Sequence, residues 1–175
     1  MPRYHSLGKI PPKRHTTFEK EDGSLYQEEL FGTEGFSGMS SLLYHVHPPT
    51  VVTEIKKVKD LTPKIAIEKN MKALSLQGFS LPKEEDYIES RKTLFVNNDL
   101  HIGIAAPKEF SKDYFYKNGD ADEMLFIHKG SGKFKSSYGN IPFEYGDYII
   151  IPRGTIYQLE FDSEDNRILY VESFS

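Results

Sequence analysis

The chain has 175 residues and a net charge of −4, with 27% charged and 38% hydrophobic residues, enough for one packed domain and too apolar for a disordered segment. It contains no cysteine, which excludes disulfides, thiolate metal ligands and a cysteine nucleophile. The basic cluster Arg3–Arg14 is thin and broken by Pro11 and Pro12, so there is no cationic stripe to neutralise phosphates and no nucleic-acid partner is expected.

Twelve Phe and 11 Tyr accompany a complete lack of Trp, and such rings suit packed sheets better than helices. Met1–Arg14 holds no apolar signal-peptide core. No apolar run approaches the roughly 20 residues of a spanning helix. The expectation is a soluble cytoplasmic protein, all-β, without a membrane partner.

Residues 1–35 mix Gly, Pro, charges and aromatics without a period and read as an extended arm with turns such as Asp22-Gly23. Ser41–His47 reads as a strand ended by Pro48-Pro49, and Val51–Ile55 as a further short strand. Ile65–Leu74 is strand- or loop-like, and Pro82–Asp86 has the early proline and acids that open a short helix. Thr93–Asn97, a turn at Asn98-Asp99 and Leu100–Ile104 form an expected hairpin. Strands then follow at Glu123–His128, Lys133–Tyr138, Tyr148–Ile151, Thr155–Phe161 and Arg167–Glu172, at the spacing of a sandwich or barrel. The domain reading is residues 1–50 as arm and first strands and 51–175 as one β-sandwich.

Two segments carry the framework of the cupin motifs, G-x5-H-x-H-x(3–4)-E-x6-G and G-x5-P-x-G-x2-H-x3-N. Glu123 is followed after six residues by Gly130, and Gly146 after five by Pro152, with Gly154 two places on. These glycines suit the turns that enter and leave strands. The fold class is therefore a cupin-type double-stranded β-helix, a jelly-roll sandwich with an extended N-terminal arm and little helix. The ligand positions are another matter. Counting back from Glu123, the histidine positions hold Lys117 and Gly119, or Tyr116 and Asn118 for the longer spacing. The second motif has Tyr157 for histidine and Phe161 for asparagine. Only Glu123 remains of the expected set, and one carboxylate does not hold a transition metal against water.

Other candidates read more simply as structure. His45 and His47 would project from one strand face toward a single ion, but they lack a third ligand and fit a surface or interface pair. His128 reads as a hydrogen-bonded structural histidine and His101 as exposed after its turn. Ser40-Ser41 and Ser136-Ser137 lack a nucleophile elbow. Asp120, Asp122 and Glu123 are close in sequence, yet Asn118-Gly119-Asp120 reads as a turn. Gly35-Phe36-Ser37-Gly38 has no following lysine or helix to make a phosphate cradle. No metal, cofactor or catalytic residue is assigned to this chain.

Met1–His5, Gly8–His15, Gly23–Tyr26, Leu30–Gly38, Ser41–His45 and the block around Asp122-Glu123-Met124 together resemble the homogentisate 1,2-dioxygenase family in its shorter bacterial form. The resemblance covers nearly this whole chain but only the N-terminal part of the family's length. It implies a bicupin that opens the ring of homogentisate with dioxygen to give maleylacetoacetate in tyrosine and phenylalanine breakdown. Its Fe(II) is held by two histidines and a glutamate of the C-terminal cupin, which is missing here. It also implies a homo-oligomer, trimer or hexamer. This segment is then expected to be structural, oligomer-forming and inactive alone, with an exposed apolar surface where the second cupin belongs. The alternative is a self-contained, metal-free cupin that binds a small aromatic or sugar-like ligand near Glu123 and Tyr157.

Overall fold

The structure is a computed structural model and describes residues 18–35, 37–46, 48, 51–67, 73–109 and 113–175. The chain divides into two compact units, Met1–Val58 and Lys59–Ser175. In the first unit, β1 (Gln27–Glu34) pairs antiparallel with β2 (Ser37–His45). Gly35 takes a φ of 64° between them, a left-handed turn that side chains resist. Residues 27–34, read as part of an extended arm, are thus one strand of a hairpin, and the strand expected at Ser41–His47 is the second half of its partner. Glu28, Glu29 and Glu34 concealed its first strand, because Glu is depleted in strands and interrupts the apolar alternation. Leu30, Met39 and Leu42 are exposed on this hairpin. Val51–Ile55, expected as a strand, is irregular and exposed. Its β-branched residues alone do not form a strand without a ladder partner.

The second unit is a two-sheet sandwich of antiparallel strands. One sheet has the order β3 (Lys92–Val96), β4 (Leu100–Ala105), β11 (Arg167–Ser173), β6 (Asp122–Lys129), β9 (Tyr148–Ile151). The other has the order β5 (Tyr116–Lys117), β10 (Ile156–Phe161), β7 (Gly132–Ser136), β8 (Gly139–Phe143). This is the jelly-roll arrangement of a cupin, and the strands read from sequence between Thr93 and Glu172 are all present within a residue or two. Two strands escaped that reading. The two-residue β5 is too short to show a period, and β8 contains Pro142. Proline is tolerated there because β8 is an edge strand with no ladder partner on one side.

Helix α1 (Tyr87–Ser90) begins after the expected Pro82–Asp86 segment. Asp86 is its N-cap, accepting from the amides of Ile88 at 2.7 Å and Glu89 at 3.2 Å. The motif glycines Gly130, Gly146 and Gly154 all have positive φ. At Gly130 a Cβ would also lie 2.1 Å from Asn166 Oδ1, so glycine is required there for close approach as well as for backbone freedom.

Side-chain alternation sends Leu125, Ile127, Ile151, Ile168 and Tyr170 of the first sheet inward against Phe134, Phe143, Tyr157 and Leu159 of the second. The two outer faces differ. On the four-stranded sheet Lys133 faces Glu160 and Lys135 faces Gln158 across the ladder, and Lys135 pairs diagonally with Glu160. On the five-stranded sheet the outward positions form two cross-strand rows. One runs Phe95, Ile102, Val171, Met124, Ile150, and the other Ile104, Leu169, Phe126, Tyr148.

Candidate functional site

At one end of the sandwich interior the apolar packing gives way to a buried polar cluster. Glu123 enters from β6, Tyr157 from β10, Tyr116 from β5, Glu172 and Tyr170 from β11, and Arg91 from the junction between α1 and β3. Glu123 is 2% exposed. Its Oε2 accepts from the Tyr157 hydroxyl at 3.0 Å, while its Oε1 lies 3.5 Å from Arg91 Nη1 without a hydrogen bond of its own. Arg91 Nη2 meets Glu172 Oε1 at 2.7 Å, and Nη1 donates to the Tyr116 hydroxyl at 3.3 Å. The guanidinium lies over the Tyr170 ring, 4.1 Å from its centroid, a cation–π contact in a desolvated setting. Asn118 Nδ2 donates to Glu172 Oε1 at 2.9 Å.

The sequence reading left two choices for the first-motif histidine positions, and the fold resolves them. Tyr116 pairs with Tyr157 and faces inward, and Asn118 reaches Glu172, so the longer spacing supplies the side chains of the site. Lys117 alternates to the opposite face. Phe161, at the asparagine position, packs on Phe143 with ring centroids 6.0 Å apart. The cupin ligand positions therefore hold Tyr116, Asn118, Glu123 and Tyr157.

Burial foremost raises the Glu123 pKa, against the opposing effects of Arg91 and the Tyr157 hydrogen bond. Burial likewise pushes Tyr116 up to about 12 and raises Tyr157, so both phenols keep their protons near neutral pH. Arg91 remains charged: burial disfavours its charge, but the Glu172 carboxylate beside it favours it.

This donor set does not fit the iron implied by the family resemblance. An Fe(II) site needs imidazole nitrogens and carboxylates with open positions. Here the phenols are protonated, no imidazole occupies a cupin ligand position, and a fixed cation stands 3.5 Å from the single surviving carboxylate. Among the described residues no group of three or more His, Asp or Glu side chains is placed to hold a metal.

The other candidates disperse. His45 Nε2 lies 2.8 Å from Glu29 Oε2 across the hairpin, and His47 lies outside the described residues. His101 is not exposed as expected. The parity of β4 turns it inward with Gly103 and Ala105, where Nδ1 sits 3.6 Å from Glu172 Oε2 and its ring meets Phe174 at 4.6 Å. His128, expected as a hydrogen-bonded structural histidine, faces outward and contacts the rings of Phe79 at 4.7 Å and Phe126 at 5.9 Å. The three acids separate as well. The turn is closed by Asn118 Oδ1 accepting from the amides of Asp120 and Ala121. Asp122 anchors the Pro152–Gly154 bend by accepting from the Arg153 amide at 2.7 Å. Ser136 is the last residue of β7, and its Oγ accepts from the Tyr138 amide in the turn that follows. Arg91 and Glu172, the centre of the cluster, were not singled out in the sequence; the one available signal for Glu172 was its strand parity with Ile168 and Tyr170.

A recess of about 860 Å³ opens beside the cluster, lined in part by Arg91, Thr93, His101, Tyr116 and Glu172. No helix among the described residues is long and apolar enough to cross a membrane.

Fold and site together define a cupin whose ligand positions carry two tyrosines, an asparagine and a glutamate. The chain belongs to the homogentisate 1,2-dioxygenase N-terminal family, which it matches over residues 6–175. A protein of Saccharolobus solfataricus, provisionally named a dioxygenase, is 40% identical over 90% of this chain and 41% of its own length. The homogentisate 1,2-dioxygenase of Nitrobacter hamburgensis is 29% identical over 62% of this chain and 26% of its own length. The chain thus spans less than half the length of these relatives. Among solved structures, a cupin-2 domain containing protein from Shewanella frigidimarina aligns over 54% of this chain and 87% of its own, at 22% identity and a TM-score of 0.45.

Proposed function

We propose that this chain is the non-reacting cupin of a homogentisate 1,2-dioxygenase-type enzyme. The whole enzyme would open the ring of homogentisate with dioxygen to maleylacetoacetate, in cytoplasmic tyrosine and phenylalanine catabolism. Fe(II) would be held by a second, C-terminal cupin, and this segment would supply structure and oligomer contacts while being inactive alone. The observation that carries the reading is Arg91: a guanidinium bound to Glu172 and facing Glu123 occupies, electrostatically, the place a divalent ion would take. The apolar side chains exposed on the β1–β2 hairpin support an oligomer-forming role, since clustered exposed apolar surface favours contact with a partner.

The test is iron content and homogentisate-dependent oxygen uptake, measured on the 175 residues and on a polypeptide extended through the C-terminal part of the family. Iron and uptake in the extended protein alone are expected. Stoichiometric iron with turnover in the short chain overturns the reading.

The recess beside Arg91 and Tyr116 favours a second reading, a binding cupin for a small aromatic or sugar-like molecule. A ligand that binds only the native state raises the melting temperature by mass action. A thermal shift with such compounds in the short chain, together with an iron-free and inactive extended protein, would select this alternative.

A further inference from the structure

The five-stranded sheet breaks the usual rule for antiparallel sheets, in which one face is packed and the other solvated. Met124–Ile127, Tyr148–Ile151 and Ile168–Val171 are uninterrupted apolar runs, so the central strand β11, its neighbour β6 and the edge strand β9 are apolar on both sides. The inner side is the sandwich core. The outer side carries the two rows described above, and they continue from strand to strand across the ladder. Leu76 and Phe79 shelter one corner, around Ile104, Phe126 and Leu169. The remainder is open: Phe95 at one end of its row is 52% exposed, and Tyr148 and Ile150 at the other are 66% and 67% exposed. The four-stranded sheet of the same sandwich has lysines, glutamate and glutamine in the equivalent positions. A contiguous apolar face on one sheet only marks a contact surface.

From this we infer that the outer face of the five-stranded sheet is the seat of the downstream, C-terminal part of the polypeptide. The inference rests on the reading above that the chain is the N-terminal part of a longer protein. Two observations favour this occupant over a second copy. The relatives are more than twice as long as the segment they share with this chain, so a covering domain is available on the same polypeptide. Any such continuation leaves from β11, the strand at the centre of the two rows. A domain tethered that closely reaches an effective concentration in the millimolar range, which free copies do not match in dilute solution.

The absence of cysteine in these residues gives a clean probe. Single variants Ile150→Cys and Phe95→Cys on the apolar face, and Lys133→Cys on the polar face as reference, would be made in the full-length polypeptide. They would then be labelled with a maleimide over a range of protein concentrations. Modification is read by mass spectrometry on the peptide that carries each site, with far-UV dichroism and melting to verify folding. Having two probes at opposite ends of one row guards against a single misfolded variant. Both apolar-face thiols should react slower than the reference by roughly tenfold or more, at all concentrations, as for a site that must open before it reacts. Slowing that vanishes on dilution would mean that a second copy covers the face, and reaction as fast as the reference would mean that nothing does; either overturns the inference. Oxygen uptake by the same preparation keeps the two ideas separable. An active enzyme with freely reacting thiols sinks the docking surface and leaves the functional reading standing, whereas an iron-free, inactive full-length protein sinks that reading itself.

Discussion

The interior of the sandwich is built in two ways. Around Leu125, Ile127, Phe134, Leu159 and Ile168 it is closed by side chains without polar groups, where stability comes from area removed from water and close packing. Around Arg91, Glu123 and Glu172 it is closed by charge, with carboxylates that face each other across the β6–β11 ladder and one guanidinium between them. The apolar half tolerates loss of a contact in proportion to the volume lost. The charged half depends on one side chain, because removing the cation leaves two acids in a dry, mutually repulsive setting. The comparison teaches that the interior of a sandwich can be closed at one end without becoming hydrophobic: a cation of the protein's own stands beside the buried acids.

The largest effect expected is therefore Arg91→Met, which keeps length and volume while deleting the charge. Breaking a buried ion pair from one side costs about 3–5 kcal/mol, and urea unfolding should show a loss of that order. A variant as stable as the parent would break the comparison, since the two halves would then be energetically alike. Next is Leu125→Ala in the apolar half, with a loss of about 3 kcal/mol from transfer and cavity terms, read in the same titration. Tyr157→Phe should cost less, about 1 kcal/mol, because Glu123 Oε2 loses its hydroxyl donor while the ring keeps its stacking on Phe134 at 5.2 Å.

The framework of this molecule was legible where backbone geometry restricts residue type. Gly130, Gly146, Pro152 and Gly154 mark turns that few other residues make, and they located the cupin strands around Glu123 and Tyr157. The site was legible only by subtraction. Its ligand positions could be counted and found altered, but what replaced them could not, because Arg91 arrives from a helix end distant in sequence and no spacing rule links it to Glu123. His101 was misplaced because its closeness to the Asn98-Asp99 turn suggested exposure, while the parity it shares with Gly103 and Ala105 decides its direction. The double-sided apolar strands were visible as runs such as Ile168–Val171. What a run cannot tell is whether its second face meets a neighbouring layer of the same unit or something else.

The smallest effect is read by its sign, and it bears most directly on which force governs the charged half. Burial and Arg91 act on Glu123 in opposite directions, and burial prevails, so the folded-state pKa lies above the ordinary glutamate value of 4.5. An acid raised in this way binds its proton more tightly folded than unfolded. Its unfavourable contribution is absent below about pH 4.5, grows as pH rises from there, and levels off above the folded-state value. Asp122 runs the other way: the Arg153 hydrogen bonds lower its pKa, so its stabilising contribution is present above 3.8 and fades as pH falls. Glu123→Gln, which preserves shape and an acceptor for Tyr157, should therefore gain stability relative to the parent as pH is raised from 4.5 toward neutrality, in melting curves recorded at matched ionic strength. If the variant instead loses ground over that interval, the guanidinium rather than desolvation controls the carboxyl, and Glu123 is an ion-pair partner as firm as Glu172.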